Sequence, residues 1–308
     1  MSGPNPREPV IRDADPGAIS RRRLVLGALA LGLVPVGAAA IDWLLPPAAG
    51  APAPDRPESA ARLHAASGPA GIPSPSASVP PRPALPLAGK VVVIDPGHNP
   101  HNPEHVAEIN NFVPAGGFLK PCDTVGAQTD AGYPEYDFTL DVARRARVIL
   151  RAAGAKVILT QNGRTAYGPC VNLRAAIGNR AHADAAVAIH ADGGPPGGYG
   201  FAVLVPELVR NAAADNSPII EPSRRLADAM VRHFASVTGQ NVSTYLGSSG
   251  IQPRGDLAGL NLSTVPKVFI ECANMRNAQD AVRVISPRWR QLAARGIADS
   301  ISAFLSVG

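Results

Sequence analysis

Two histidines and a glutamate stand where apolar runs end. His98 closes Val93-Ile94-Asp95-Pro96-Gly97-His98, His190 closes Ala188-Ile189-His190, and Glu271 closes Phe269-Ile270-Glu271. Imidazole and carboxylate groups are cation ligands and, near neutral pH, proton carriers. Loops at one edge of a sheet would bring them together as a hydrolytic metal site. A lone histidine is more often a surface or core-satisfying residue, but two at equivalent strand ends favour a shared purpose. A catalytic zinc takes three protein ligands and leaves one position open, so a third ligand is needed. Glu135 suits that place, because Pro134 precedes it and an amphipathic helix follows. An acidic residue in a first helical turn also stabilises the helix by roughly 0.3–1 kcal/mol, whatever else it does. Asp95, Asp123 and Asp137 are open alternatives, and Asp95 beside Pro96 also suits a tight turn.

A carboxylate at a buried strand end is costly unless it is paired or used. Glu271 therefore reads as the general base, with an ion pair to Arg276 as the competing role. His101, Glu104 and His105 form a second cluster close to His98, but Pro100 and Pro103 work against the helix that would align them. They read as loop surface.

These side chains need a frame, and the apolar runs supply one. Residues 90–94, 156–160, 185–189, 201–205 and 267–270 are continuous apolar stretches of strand length, which implies strands covered on both faces. Between them, Phe138, Val142, Ala146, Ile149 and Leu150 recur at helical spacing, with Gly154 as a stop. Leu173, Ile177 and Ala181 repeat every four residues, as do Leu226, Met230 and Phe234, and Ala293, Ile297, Ile301 and Leu305. The fold class expected is α/β: one domain with a mixed, mostly parallel central sheet flanked by helices on both faces. Residues 99–134 and 243–266 read as long irregular stretches, and loops of that length are usually functional.

The 308-residue chain is not uniform. Arg21-Arg22-Arg23 precedes a charge-free apolar run from Leu24 to Ala40, the layout of an export segment. Ser20 to Leu26 also resembles a twin-arginine export motif. Small residues at Ala38 and Ala40 offer a cleavage site, whereas renewed apolar character at Ile41 to Leu45 suits an uncleaved anchor. Residues 1–45 are thus expected to engage export machinery or membrane, and 46–87, rich in Pro, Ala and Ser, to be a disordered linker. Residues 88–308 form the catalytic domain. The net charge of +5 and pI near 9.4 come without a dense basic run, which argues against a nucleic-acid partner. Of three cysteines, Cys122 and Cys170 lie in Gly/Pro-marked loops and are expected to pair, with three free thiols as the alternative.

Taken in order, these motifs resemble those of the zinc-dependent N-acetylmuramoyl-L-alanine amidases of bacterial cell walls. The resemblance spans residues 88–306. Val93 to His98 is similar to the family's first ligand motif, Glu135 stands where its second ligand precedes a helix, and Ala188 to Asp192 resembles the third. Phe269 to Asn274 resembles the stretch with the catalytic glutamate, followed by Asn277. Arg174 and Asn179 fall where the family's helix before the His190 strand carries an arginine and an asparagine. The resemblance implies Zn2+ held by His98, Glu135 and His190, with Glu271 as catalytic base. It also implies cleavage of the amide between N-acetylmuramic acid and L-alanine of the stem peptide. Peptidoglycan or muropeptides would be the partner of a monomeric protein exported to the periplasm or cell wall.

The departures are Asn99 for the family's usual glycine, the 99–134 insertion and the cysteine pair. Only Pro206 to Pro222 separates a strand from the next helix, so a site-blocking helical insert is not expected. Arg254, in the 243–266 stretch, is a candidate to bind a stem-peptide carboxylate. The competing readings are another metal-dependent wall peptidase or deacetylase, and a non-catalytic wall-binding regulator.

Overall fold

The structure, a computed structural model, describes residues 85–306. The export segment 1–45 and nearly all of the expected linker lie outside the described residues. Leu87, at the linker's expected end, is fully buried and donates its backbone N–H to Ala153 O, so core packing begins there.

A six-stranded sheet runs β4-β1-β5-β8-β6-β7 in space. Its strands are β1 (Val91–Pro96), β4 (Lys156–Leu159), β5 (Ala185–Asp192), β6 (Ala202–Pro206), β7 (Ile251–Arg254) and β8 (Lys267–Asn274). β1 pairs in parallel with β4 and β5, β5 with β8, and β6 with β7; only β6 against β8 is antiparallel. The β1 and β5 runs are unbroken in apolar character because both faces are covered. The expected mixed, mostly parallel sheet is present.

Three long helices cover one face: α2 (Glu135–Ala152), α4 (Ile220–Thr238) and α7 (Pro287–Leu305). α2 begins at extended Pro134 with Glu135 and Asp137 in its first turn, and buries Phe138, Val142, Ala146 and Leu150 along one stripe. α4 ends at Gly239, whose φ of +65° is a left-handed cap that glycine adopts without strain. α7 crosses α4 closely, since a Cβ on Gly296 would lie 3.1 Å from Phe234 Cα. Phe138, Phe201, Phe234, Ile94, Ile189 and Ile270 make the core between these helices and the sheet. α3 (Val171–Arg180) and the short α5 (Ala258–Asn261) cover the other face, over Val93, Ala186 and Val265.

The two stretches expected to be irregular hold small elements. Residues 99–134 contain α1 (Val106–Ile109) and a hairpin of β2 (Phe112–Pro114) with β3 (Leu119–Pro121); residues 243–266 contain β7 and α5. β7 carries no apolar run in Ile251-Gln252-Pro253-Arg254, so its sequence does not mark a strand, and Pro253 is tolerated because β7 lies at the sheet edge. α6 (Ala278–Ile285) was also missed, although Asn277 is a plain signal: its side chain accepts from Gln279 N and Asp280 N. Between β6 and α4 there is only a loop with a three-residue 3-10 turn, Ser217–Ile219.

Candidate metal centre

The polar residues gather where β1, β5 and β8 end in the same direction. His98 leaves β1 through a turn whose Gly97 N donates to Ile189 O. A Cβ on Gly97 would sit 2.3 Å from the His190 ring, so only glycine lets the two histidines approach. Their rings lie edge to face at 5.1 Å. His190 follows the side of β5 that carries Ala186 and Ala188, and stacks on Phe269 of β8 at 5.3 Å. A shift in the β5–β8 register between His190 and Asp192 marks a local irregularity beside it.

Glu135, the first residue of α2, enters between the two rings. Its Oε2 is 3.1 Å from His98 Nε2 and its Oε1 is 3.0 Å from His190 Nδ1. The carboxylate is further fixed by Ala127 N at 2.8 Å and Ala191 N at 3.1 Å. His98 Nδ1 is 3.0 Å from Thr124 O, which makes it the donor there and turns Nε2 inward. One ligand atom from each of His98, Glu135 and His190 lies within 4.8 Å of the others. Two imidazole nitrogens and a carboxylate at this spacing fit the three-ligand set of a catalytic divalent cation, second partners included.

Charge in the site follows from this crowding. Burial opposes ionisation of Glu135, but His98 and His190 hold its pKa well below the usual range. Burial likewise opposes a charged His98, yet Glu135 and Asp123 raise its pKa to about 10 in the metal-free protein.

Glu271 pairs in register with His190. Its Oε2 is buried and has no hydrogen-bond partner among the described residues. Burial, then the charges of Glu135 and Asp192, push its pKa well above the ordinary value. The expected competitor for Glu271, Arg276, pairs instead with Asp130 at 2.7 Å. An orphaned carboxylate oxygen beside three converging ligand atoms is what a proton-handling group requires, since its partners arrive with the reaction.

Asp95 lies outside the ligand set: Lys267 at 2.9 Å, Arg174 at 2.9 Å and Thr160 at 2.6 Å hold it in a buried ion network. Asp123 also pairs with Arg174, at 2.8 Å, and Asp137 is exposed. His101 and His105 each meet their own neighbour, Glu104 at 3.9 Å and Glu108 at 3.2 Å, and neither belongs to the cluster of His98, Glu135 and His190. Arg254 lines the cleft, but both its Nε and Nη2 already bond Asp256 at 2.6 Å. Cys122 and Cys170 are joined in a disulfide, tying the loop of Asp123 and Thr124 to the start of α3. Cys272 is free and buried.

Lys267 and Asn274 carry roles that their sequence positions hide. Lys267 looks like a solvated strand end, yet it is 1 % exposed under Asp95. Asn274 donates to Pro195 O and Gly198 O, pinning the glycine-proline loop that follows His190 and Asp192.

His98, Glu135, His190, Arg254, Phe269 and Glu271 share one cleft of about 330 Å3. A larger cavity, about 750 Å3, lies near the start of β1 and is lined by Lys90, Asp184, Arg225, Arg232 and Phe304. None of His98, Glu135, His190 and Glu271 lines it.

The profile of the N-acetylmuramoyl-L-alanine amidase family matches residues 92–303. An N-acetylmuramoyl-L-alanine amidase of Mycobacterium tuberculosis is 37% identical over 221 residues, 71% of this chain and 88% of that protein. The crystal structure of an N-acetylmuramyl-L-alanine amidase from Mycobacterium smegmatis aligns with TM-score 0.67 at 42% identity, covering 72% of this chain and 99% of the other. An apo-form amidase structure from Mycobacterium abscessus aligns with TM-score 0.64 at 41% identity, covering 71% of this chain and 100% of the other. With the sheet, the helices and the matched stretch in agreement, the chain belongs to the N-acetylmuramoyl-L-alanine amidase family.

Proposed function

We propose that the protein is an exported zinc amidase that cleaves the bond between N-acetylmuramic acid and the L-alanine of the stem peptide. The observation that carries this reading is the convergence of His98, Glu135 and His190 beside the orphaned carboxylate of Glu271. Family membership supplies the substrate class.

The two imidazole nitrogens and the Glu135 carboxylate would hold Zn2+. When bound, the ion supplies Lewis acidity toward both the scissile carbonyl and the attacking water. The protein then has three tasks. Thr124 O and the amides of Ala127 and Ala191 keep the ligand side chains aimed. The cleft that would receive the amide is lined by Phe269 and Arg254 as well as by His98, Glu135, His190 and Glu271. With the burial and the Glu135 and Asp192 charges that raise its pKa offset by the cation's charge, an ionised Glu271 would take the water proton and return it to the departing alanine nitrogen, serving as base and then acid. Arg254, which lines the cleft and pairs with Asp256, is read as the contact for a stem-peptide carboxylate.

Residues 88–308 are read as the catalytic domain, 46–87 as its linker, and 1–45 as signal or anchor. The Arg21-Arg22-Arg23 layout supports export, and so does the Cys122–Cys170 disulfide, a bond that persists in oxidising compartments. Among the described residues no helix is long and apolar enough to cross a membrane.

The test is mass spectrometry of products after the zinc-loaded protein is incubated with purified muropeptides. Intact stem peptides beginning at L-alanine, together with free muramyl glycan, are expected. Shortened stems would indicate a peptidase, deacetylated sugars a deacetylase, and binding without turnover a non-catalytic wall protein.

A further inference from the structure

His98 holds its place under conformational tension. Its φ is +61°, a left-handed backbone that residues with a Cβ rarely adopt and that persists only where the surroundings impose it. Two buried side chains impose it here. Gln161 Nε2 donates to His98 O at 2.9 Å and reaches Pro96 O at 3.5 Å. Arg174 donates to the same two carbonyls, at 3.0 Å and 2.6 Å. The carbonyls of Pro96 and His98, the residues on either side of Gly97, are thus each held by two donors. On the far side of His98, Asn99 anchors the chain through Thr165 Oγ1 at 2.9 Å and Gly168 O at 2.8 Å.

We propose that Gln161 is a positioning residue for the metal centre: by clamping the His98 carbonyl it keeps the imidazole in the orientation from which Nε2 meets the Glu135 carboxylate. The inference rests on the reading of His98 as a zinc ligand. Gln161 stands just beyond β4, is 4 % exposed, and is absent from the cleft lining, so it touches neither substrate nor metal. Its amide is fully used, since Oε1 accepts from Gly163 N at 2.7 Å while Nε2 serves the ligand turn. Arg174 shares the clamp but also neutralises Asp95 and Asp123, so its removal would strip buried Asp123 of its guanidinium partner and leave Asp95 with Lys267 alone. Gln161 is uncharged. Its loss removes one of the two donors to the His98 carbonyl, leaving Arg174 as the other, without that penalty, which makes it the side chain whose effect is read at the metal.

Two variants separate positioning from scaffolding. Gln161→Met keeps length and burial without polar atoms; Gln161→Glu keeps the acceptor for Gly163 N and removes the donor to His98 O. Both are compared with wild type by far-UV circular dichroism and thermal unfolding of the metal-free protein, zinc affinity by chelator competition, and the visible spectrum of the Co2+ form. The expected result is a cooperatively unfolding protein whose zinc affinity falls about 10- to 100-fold. Its Co2+ bands, which report ligand geometry, are expected to change as well. Wild-type zinc affinity and spectrum in both folded variants would overturn the inference. Failure of both to fold would overturn it too, since Gln161 would then be scaffold. A wild-type protein that takes up no zinc is a different failure: it removes the metal reading itself, and this inference with it.

Discussion

At the scale of single residues, the centre is defined by which polar atoms have partners and which do not. His98 and Glu135 are oriented by backbone groups and His190 by Glu135 Oε1 and the Phe269 ring, whereas Glu271 Oε2 has no partner among the described residues. Glu271→Gln removes the proton carrier while preserving shape, so zinc content should stay at wild-type level while muropeptide turnover falls by about 10²–10⁴. Metal analysis alongside a turnover assay checks both halves. His98 adds a pH dependence. In the metal-free protein its pKa is raised from 6.5 to about 10, so the proton it carries at neutral pH must leave before zinc can bind. Zinc affinity should therefore strengthen as pH rises toward 10, by up to about tenfold per unit for one displaced proton. Calorimetric titration in buffers of different ionisation enthalpy would count that proton.

Elements carry these residues, and their junctions are where the site is vulnerable. The β1 turn works because Gly97 has no Cβ; Gly97→Ala would drive a methyl into His190 and should abolish stoichiometric zinc binding, measured by chelator competition. The disulfide closes a loop of 48 residues between the Asp123–Thr124 segment and α3. Removing it with the double variant Cys122→Ser, Cys170→Ser restores chain entropy to the unfolded state and should cost about 2–5 kcal/mol, read from denaturant unfolding. Because the bridge lies beside Thr124, the partner of His98 Nδ1, some loss of metal affinity should accompany the loss of stability.

For the whole molecule, one buried ion network ties three parts of the fold together. Asp95 of β1, Lys267 of β8 and Arg174 of α3 meet, and Arg174 extends the network to Asp123. Burial works against an ionised Asp123, but Arg174 and His98 lower its pKa from 3.8 to about 2. A depressed carboxylate contributes stability above its unfolded value and loses it as pH falls through the folded one. Asp123 should thus contribute roughly 2 kcal/mol above pH 4, declining between pH 3.8 and 2. Unfolding free energies of wild type and Asp123→Asn measured across that window should converge toward its acid end.

The amino-acid sequence determined the sheet, the long helices and the identity of the cluster, because each rests on local chemistry. Unbroken apolar runs make covered strands, four-residue apolar spacing makes helices, and His or Glu at a strand or helix end faces a loop edge. β7 was beyond that reach, since an edge strand with Pro253 has no pattern of its own and exists only because β6 lies alongside it. The partners of charged residues were equally invisible: Lys267 meets Asp95 across 172 positions, and Arg276 chooses Asp130 across 146. Glu135 could be taken from sequence alone as a helix-start acid or as a ligand. Only tertiary structure decided the geometry, by setting the N-terminus of α2 against the ends of β1 and β5, because contact between distant segments follows from how layers pack rather than from the residues beside them.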